Sequence, residues 1–209
     1  MNTDDLIKVL AQAPRAPQKL RIGSWSIVFI VLAAIATQFM LGLRPEVLAL
    51  APSPSLLVKL TVLALLALTA ILYLKEQSVP VTHTRYARYM GIAGALLLTG
   101  LVAHEWLTVD SDQIEVFFYL RNFPACLFFV MLYGAVGAAA LTVHMQASAP
   151  ADTRRAASAV GFAAAATGAV GYAMHCPIDS PTFIAVAYGI PLVIITLLAS
   201  VVLPRFLKW

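Results

Sequence analysis

The chain has 209 residues, of which 61% are hydrophobic and only 11% charged, and its mean hydropathy is +0.86. A water-soluble domain carries about twice that charged fraction, so composition excludes a soluble globular protein and points to an all-α membrane protein. The net charge of +4 comes from basic residues that flank apolar runs, which is the pattern of membrane loops and not of a nucleic-acid-binding surface.

Residues 1–23 precede the first apolar run and contain a compact helix signal. Thr3 can cap a helix whose first turn holds Asp4 and Asp5, where the helix dipole favours anions. Leu6, Val9 and Leu10 then fall on one face, and Pro14 and Pro17 stop the helix. So short a helix is marginal in water without something to pack against, so its apolar stripe is either a frayed or membrane-surface segment or a contact for a partner.

Six spanning segments follow over residues 24–43, 56–74, 89–107, 123–143, 156–174 and 182–203, each near the roughly 20 residues needed to cross the hydrocarbon core. The first follows an Asp-bearing leader and lacks a convincing cleavage site, so it is expected to be a membrane helix and not a removed signal. Short loops make neighbours antiparallel, giving a six-transmembrane-helix bundle over residues 24–209. With a cytoplasmic N-terminus, the inner side receives Lys8, Arg15, Lys19, Arg21, Lys75, Arg85, Arg88, Arg154, Arg155, Arg205 and Lys208. The outer side receives only Arg44, Lys59 and Arg121, so the excess of basic residues predicts both termini cytoplasmic. The fifth segment is almost entirely Ala, Gly, Ser and Thr from Ala156 to Gly171, which lets helix backbones approach closely and places it at the bundle centre, with Gly134 and Ala138 as a matching notch.

That orientation gathers the polar residues at one face. His104 and Glu105 end the third span, Cys126 opens the fourth, and His175 and Cys176 end the fifth, with Asp179 just beyond. The two cysteines share a depth and face a compartment where disulfides persist. Cys126 follows Asn122-Phe123-Pro124, a helix start whose dipole favours a thiolate, whereas Cys176 at a helix end receives no such help. Three readings suit the pair: reversible disulfide formation, capture of a soft metal such as zinc or cadmium by Cys126 and Cys176 with His175, His104 or a carboxylate, or structural cysteines. His83 and His144 fall near the inner face and carry less chemistry.

The opening Met1-Asn2-Thr3-Asp4-Asp5-Leu6-Ile7, the six spans, a lone cysteine early in the fourth, and His175-Cys176-Pro177 with Ser180-Pro181 and Phe183 resemble the NrsF family, membrane-bound negative regulators of extracytoplasmic-function (ECF) sigma factors. The resemblance covers the whole chain. It implies a multi-pass protein of the bacterial inner membrane with no catalysis. It also implies that the cytoplasmic N-terminus, with Asp4, Asp5, Leu6, Ile7, Val9 and Leu10, helps hold an ECF sigma factor inactive, while Cys126 and Cys176 sense oxidants or heavy metals. Ala187 before Tyr188 stands where the family is expected to have a tryptophan, which bears on helix packing there. The competing classes are a membrane thiol-disulfide oxidoreductase, against which stands the lack of a Cys-x-x-Cys pair, and a transporter, against which stand spans with uncharged midplanes.

Overall fold

The computed structural model describes residues 22–42, 44–48, 53–78, 86–110, 122–146, 148 and 150–207. Helix α1 (Ile22–Leu41) ends at Gly42, whose φ of +81° is the left-handed conformation that closes a helix and suits glycine. A single turn, α2 (Pro45–Leu48), leads to α3 (Pro54–Gln77), where the Ser53 hydroxyl accepts from the Leu56 amide and Pro54 occupies the first helical position. Helices α4 (Tyr86–Thr108) and α5 (Asn122–Met145) follow. Next comes α6 (Thr153–Ala173), capped by the Asp152 carboxylate on the amides of Arg154 and Arg155. The chain ends in α7 (Pro181–Ala187), capped by Ser180, α8 (Gly189–Val202) and a 3-10 turn over Leu203–Arg205.

Among the described residues, five segments are long and apolar enough to cross a membrane: Pro54–Gln77, Tyr86–Thr108, Phe123–Met145, Thr153–Ala173 and Pro181–Arg205. The first of the six expected spans is helical over Ile22–Leu41. The last, expected over 182–203, is one span over Pro181–Arg205, interrupted at Tyr188 between α7 and α8. The cause is local: Pro191 has no amide to give the Ala187 carbonyl, although the ladder resumes with Leu192 N to Tyr188 O at 3.2 Å.

The small-residue helix α6 is the axis of the fold, as its composition requires. Nearly nine-tenths (89%) of its most apolar stretch is buried inside the protein, and it packs against α5, α8, α3 and α1. Its glycines mark where backbones touch. A Cβ on Gly161 would lie 2.5 Å from Ala199 Cβ and 2.9 Å from the Ile195 carbonyl, and one on Gly168 would lie 2.8 Å from Tyr133 Cβ. Such closeness gains dispersion energy and lets α5 and α8 approach without large side chains between them. By contrast, α4 is peripheral, almost wholly exposed, and held by α3 and α7.

Among the described residues, most buried apolar side chains fall into two clusters along the bundle. Leu74, Met145, Ala156 and Leu207 belong to one, at the end where Gln146 Nε2 donates to the Phe206 carbonyl at 3.2 Å. Cys126, Tyr172, Cys176, Phe183 and Tyr188 belong to the other, at the opposite end.

Candidate functional site

The two sulfurs meet because α5 starts where α6 ends. After Ala173 the backbone tightens, with the amides of His175 and Cys176 both returning to the Tyr172 carbonyl at 3.0 and 3.3 Å, and this turn tucks Cys176 under the end of α6. There its Sγ lies 3.3 Å from Cys126 Sγ, with both residues fully buried and both thiols free. A disulfide needs about 2.05 Å, so closure requires a movement of little more than an ångström. Aromatic rings wall the pair. Tyr172 stacks on Phe129 at 5.6 Å between ring centres and lies 6.4 Å from the Tyr188 ring, and Phe183 meets Phe123 edge-on at 6.0 Å.

Above the pair sits an ion cluster drawn from three parts of the chain. Lys59 on α3 is fully buried, and its ammonium uses all three donors: Cys176 O at 2.7 Å, Ile178 O at 3.0 Å and Asp179 Oδ1 at 3.3 Å. It also stands 5.9 Å over the Tyr188 ring. Arg44 bonds Asp179 Oδ1 at 2.8 Å, Glu46 Oε2 at 3.1 Å and Cys176 O at 3.3 Å, and Ser55 Oγ donates to Asp179 Oδ2 at 3.1 Å. Two cations and two carboxylates therefore balance, which is what makes a buried ammonium tolerable. The cluster fixes the Cys176–Asp179 loop through its carbonyls.

The sulfur chemistry follows from this surrounding. The Cys126 thiol donating to the Cys176 sulfur, aided by the nearby Lys59 ammonium and opposed by burial, holds Cys176 below the ordinary thiol range.

The other expected site residues are placed differently. His175 directs Nδ1 to the Gly42 carbonyl at 2.7 Å, and with Arg44 N to Met174 O at 3.3 Å this sews the end of α1 to the turn after α6. His104 is exposed on α4, and its carbonyl accepts from Thr108 Oγ1. Asp179 serves Arg44 and Lys59. Among the described residues, no group of three or more His, Cys, Asp and Glu side chains is gathered to hold a metal ion. Asp4, Asp5, Leu6, Ile7, Val9 and Leu10 lie outside the described residues, as does His83.

The sequence model of one family, described as NrsF, negative regulator of sigma F, matches residues 6–209. The chain belongs to the NrsF family. No curated protein sequence and no solved structure matches it. The family name implies a negative regulator of a sigma factor.

In this NrsF-family chain the residues around the thiol pair that sequence reasoning passed over are Arg44, Lys59, Tyr172 and Tyr188. Arg44 and Lys59 had appeared only as exceptions to the prevailing sidedness of basic residues. The exception was itself informative: a lysine just inside an apolar run has to find acceptors within the protein. Glu105 is a similar case. Its buried carboxylate accepts from the Thr182 amide at 2.7 Å at the start of α7, while Trp106 Nε1 donates to Thr182 Oγ1 at 2.9 Å, and these bonds anchor the end of α4. Ala187, where a tryptophan was expected, is fully buried in the thiol-side cluster.

Proposed function

We propose that this protein is an anti-sigma factor of the bacterial inner membrane. It holds an ECF sigma factor through its cytoplasmic N-terminal segment, residues 1–23, and lets it go when Cys126 and Cys176 on the outer face become bonded. The observation that carries this reading is the 3.3 Å separation of two fully buried sulfurs on different helices, 50 residues apart in sequence. Bond formation breaks two S–H bonds, makes one S–S bond and passes two electrons and two protons to an oxidant. The contraction draws the turn after α6 toward α5, and α6 packs against α1, α3, α5 and α8, so its displacement reaches the opposite end of the bundle.

Soft-metal capture by the same sulfurs with His175 is the alternative trigger. The disulfide is favoured because the sulfurs are already near bonding distance and His175 Nδ1 is engaged with Gly42. The test is co-purification of a sigma factor from detergent-solubilised membranes, before and after oxidant or cadmium treatment. Cys126→Ser, Cys176→Ser and the double variant should all retain the partner and all lose release, with no added effect in the double variant, because losing either sulfur removes the whole bond. Full release from either single variant refutes the paired-thiol mechanism. Oxidant-driven release with no response to cadmium separates the two triggers.

A further inference from the structure

We propose that α1 is the rod that carries the state of the thiol pair to the N-terminal segment, with His175 tying its Leu41 end to the Cys176 turn and Thr37 serving as its pivot on α5. This inference rests on the thiol-pair reading above and assigns the route by which bond closure reaches the partner-binding residues. The N-terminal segment runs directly into α1 (Ile22–Leu41), so the placement of α1 sets where that segment leaves the bundle. Three observations support it.

First, the Leu41 end of α1 is bonded to the turn that bears Cys176. His175 Nδ1 donates to the Gly42 carbonyl at 2.7 Å, and the Arg44 amide donates to the Met174 carbonyl at 3.3 Å. The Arg44 guanidinium then reaches the Cys176 carbonyl at 3.3 Å and Asp179 at 2.8 Å. A shift of Cys176 toward Cys126 therefore pulls on Gly42 and Arg44 directly.

Second, α1 is pinned at one buried polar contact to α5, the helix that carries Cys126. Thr37, fully buried, gives its hydroxyl hydrogen to the Ala33 carbonyl at 2.8 Å, so Tyr133 is left to donate to Thr37 Oγ1, also at 2.8 Å. Along a helix rising 1.5 Å per residue, Thr37 is about 7.5 Å from Gly42 and about 22 Å from Ile22. With Thr37 as pivot, a shift of about 1 Å at Gly42, the scale of sulfur closure, becomes about 3 Å at Ile22.

Third, the rest of α1 is loosely held. Its buried side chains, among those described, are the small Ala33 and Thr37, while Val31, Leu32, Ile35 and Phe39 are exposed. Toward Ile22, a cavity of about 120 Å³ lies between Phe29 and Leu32 of α1 and Gly137 and Leu141 of α5. A helix seated on small side chains beside unfilled volume can shift as a body without repacking large residues.

The test uses the full chain, reduced and purified in detergent with its sigma factor. Diamide closes the bond by taking two electrons and two protons from the thiols, and closure is read by loss of maleimide labelling. His175→Phe keeps a ring beside Tyr172 but loses the bond to Gly42, and Thr37→Val keeps shape but loses Tyr133. Both variants should form the disulfide and hold the sigma factor when reduced, yet the ratio of oxidised to reduced Kd should fall at least threefold below the parent's. A role confined to stability would not separate bond closure from release. As a second measurement, in a chain carrying Trp106→Phe and Trp209→Phe, Trp25 alone reports the start of α1, and its acrylamide quenching should change on closure. An undiminished ratio in either variant once its bond has formed, or unchanged Trp25 quenching on closure, overturns the α1 route and leaves the thiol switch standing. A parent that forms no bond, or forms it without release, overturns the thiol-pair reading and this route with it.

Discussion

Replacing Asp179 with asparagine tests the ion cluster over the thiol pair. The change is nearly isosteric, so packing is kept while one carboxylate charge disappears. Lys59 is fully buried, and the side chains of Arg44 and Asp179 are only 12% and 11% exposed, so solvent cannot replace the lost charge. Breaking a buried ion pair by removing one member costs about 3–5 kcal/mol, because the remaining charge is left uncompensated. Here Glu46 still faces Arg44 and two backbone carbonyls still hold Lys59, so the lower end, about 3 kcal/mol, is expected. Lys59→Met in the same background removes the stranded cation. Its cost is the loss of the Ile178 carbonyl's partner, since the Cys176 carbonyl keeps Arg44, so part of the deficit should return, with a coupling of about 1–3 kcal/mol. Equilibrium unfolding in mixed detergent micelles, followed by helical circular dichroism, measures all four corners of the cycle. An Asp179→Asn variant within about 0.5 kcal/mol of the parent, the range of an ordinary surface substitution, would refute the view that the cluster holds the Cys176 loop.

Other consequences are directly measurable. Gly161→Leu should destabilise the protein by more than the roughly 1–3 kcal/mol of ordinary overpacking, because the new side chain meets the backbone of α8 at Ile195 and Thr196; stability equal to the parent in the same unfolding assay would mean that α6 and α8 are not in backbone contact. Leu6→Asp or Leu10→Asp should weaken sigma-factor binding well over tenfold, since burying one such side chain is worth about 1.5–3 kcal/mol; unchanged affinity in both, by titration calorimetry, removes the stripe from the interface. A reporter enzyme active only outside the cytoplasm should work when fused after Asp112 or Asp179 and fail after Arg85 or Arg154, and the reverse pattern would put both cysteines on the reducing side.

Much of the architecture was legible because it depends on composition and local chemistry. Apolar runs of spanning length, Ser53-Pro54 and Ser180-Pro181 at helix starts, and the alanine and glycine content of α6 each act within a few residues or through bulk partitioning into lipid. The meeting of Cys126 and Cys176 at one depth also followed from span order. The break at Tyr188 was harder to see, because a proline in the first turn of a helix is ordinary and only the helix before it makes Pro191 an interruption.

What the sequence determined by itself, then, is the membrane environment, the helices, the crowded axis and the family to which the chain belongs. The tertiary structure decided which polar groups satisfy one another. Lys59 reads as a stray charge at the start of a span until its acceptors, 117 to 120 residues away, are brought against it, and Arg44 waits on Asp179 across 135 residues. His175, equally suited on paper to a metal or a sulfur, bonds instead to a carbonyl 133 residues earlier. The physical reason is common to all three. A buried charge or ring nitrogen is stable only with a partner in place, and the partner's identity is set by how helices pack and not by the residues beside it in the chain.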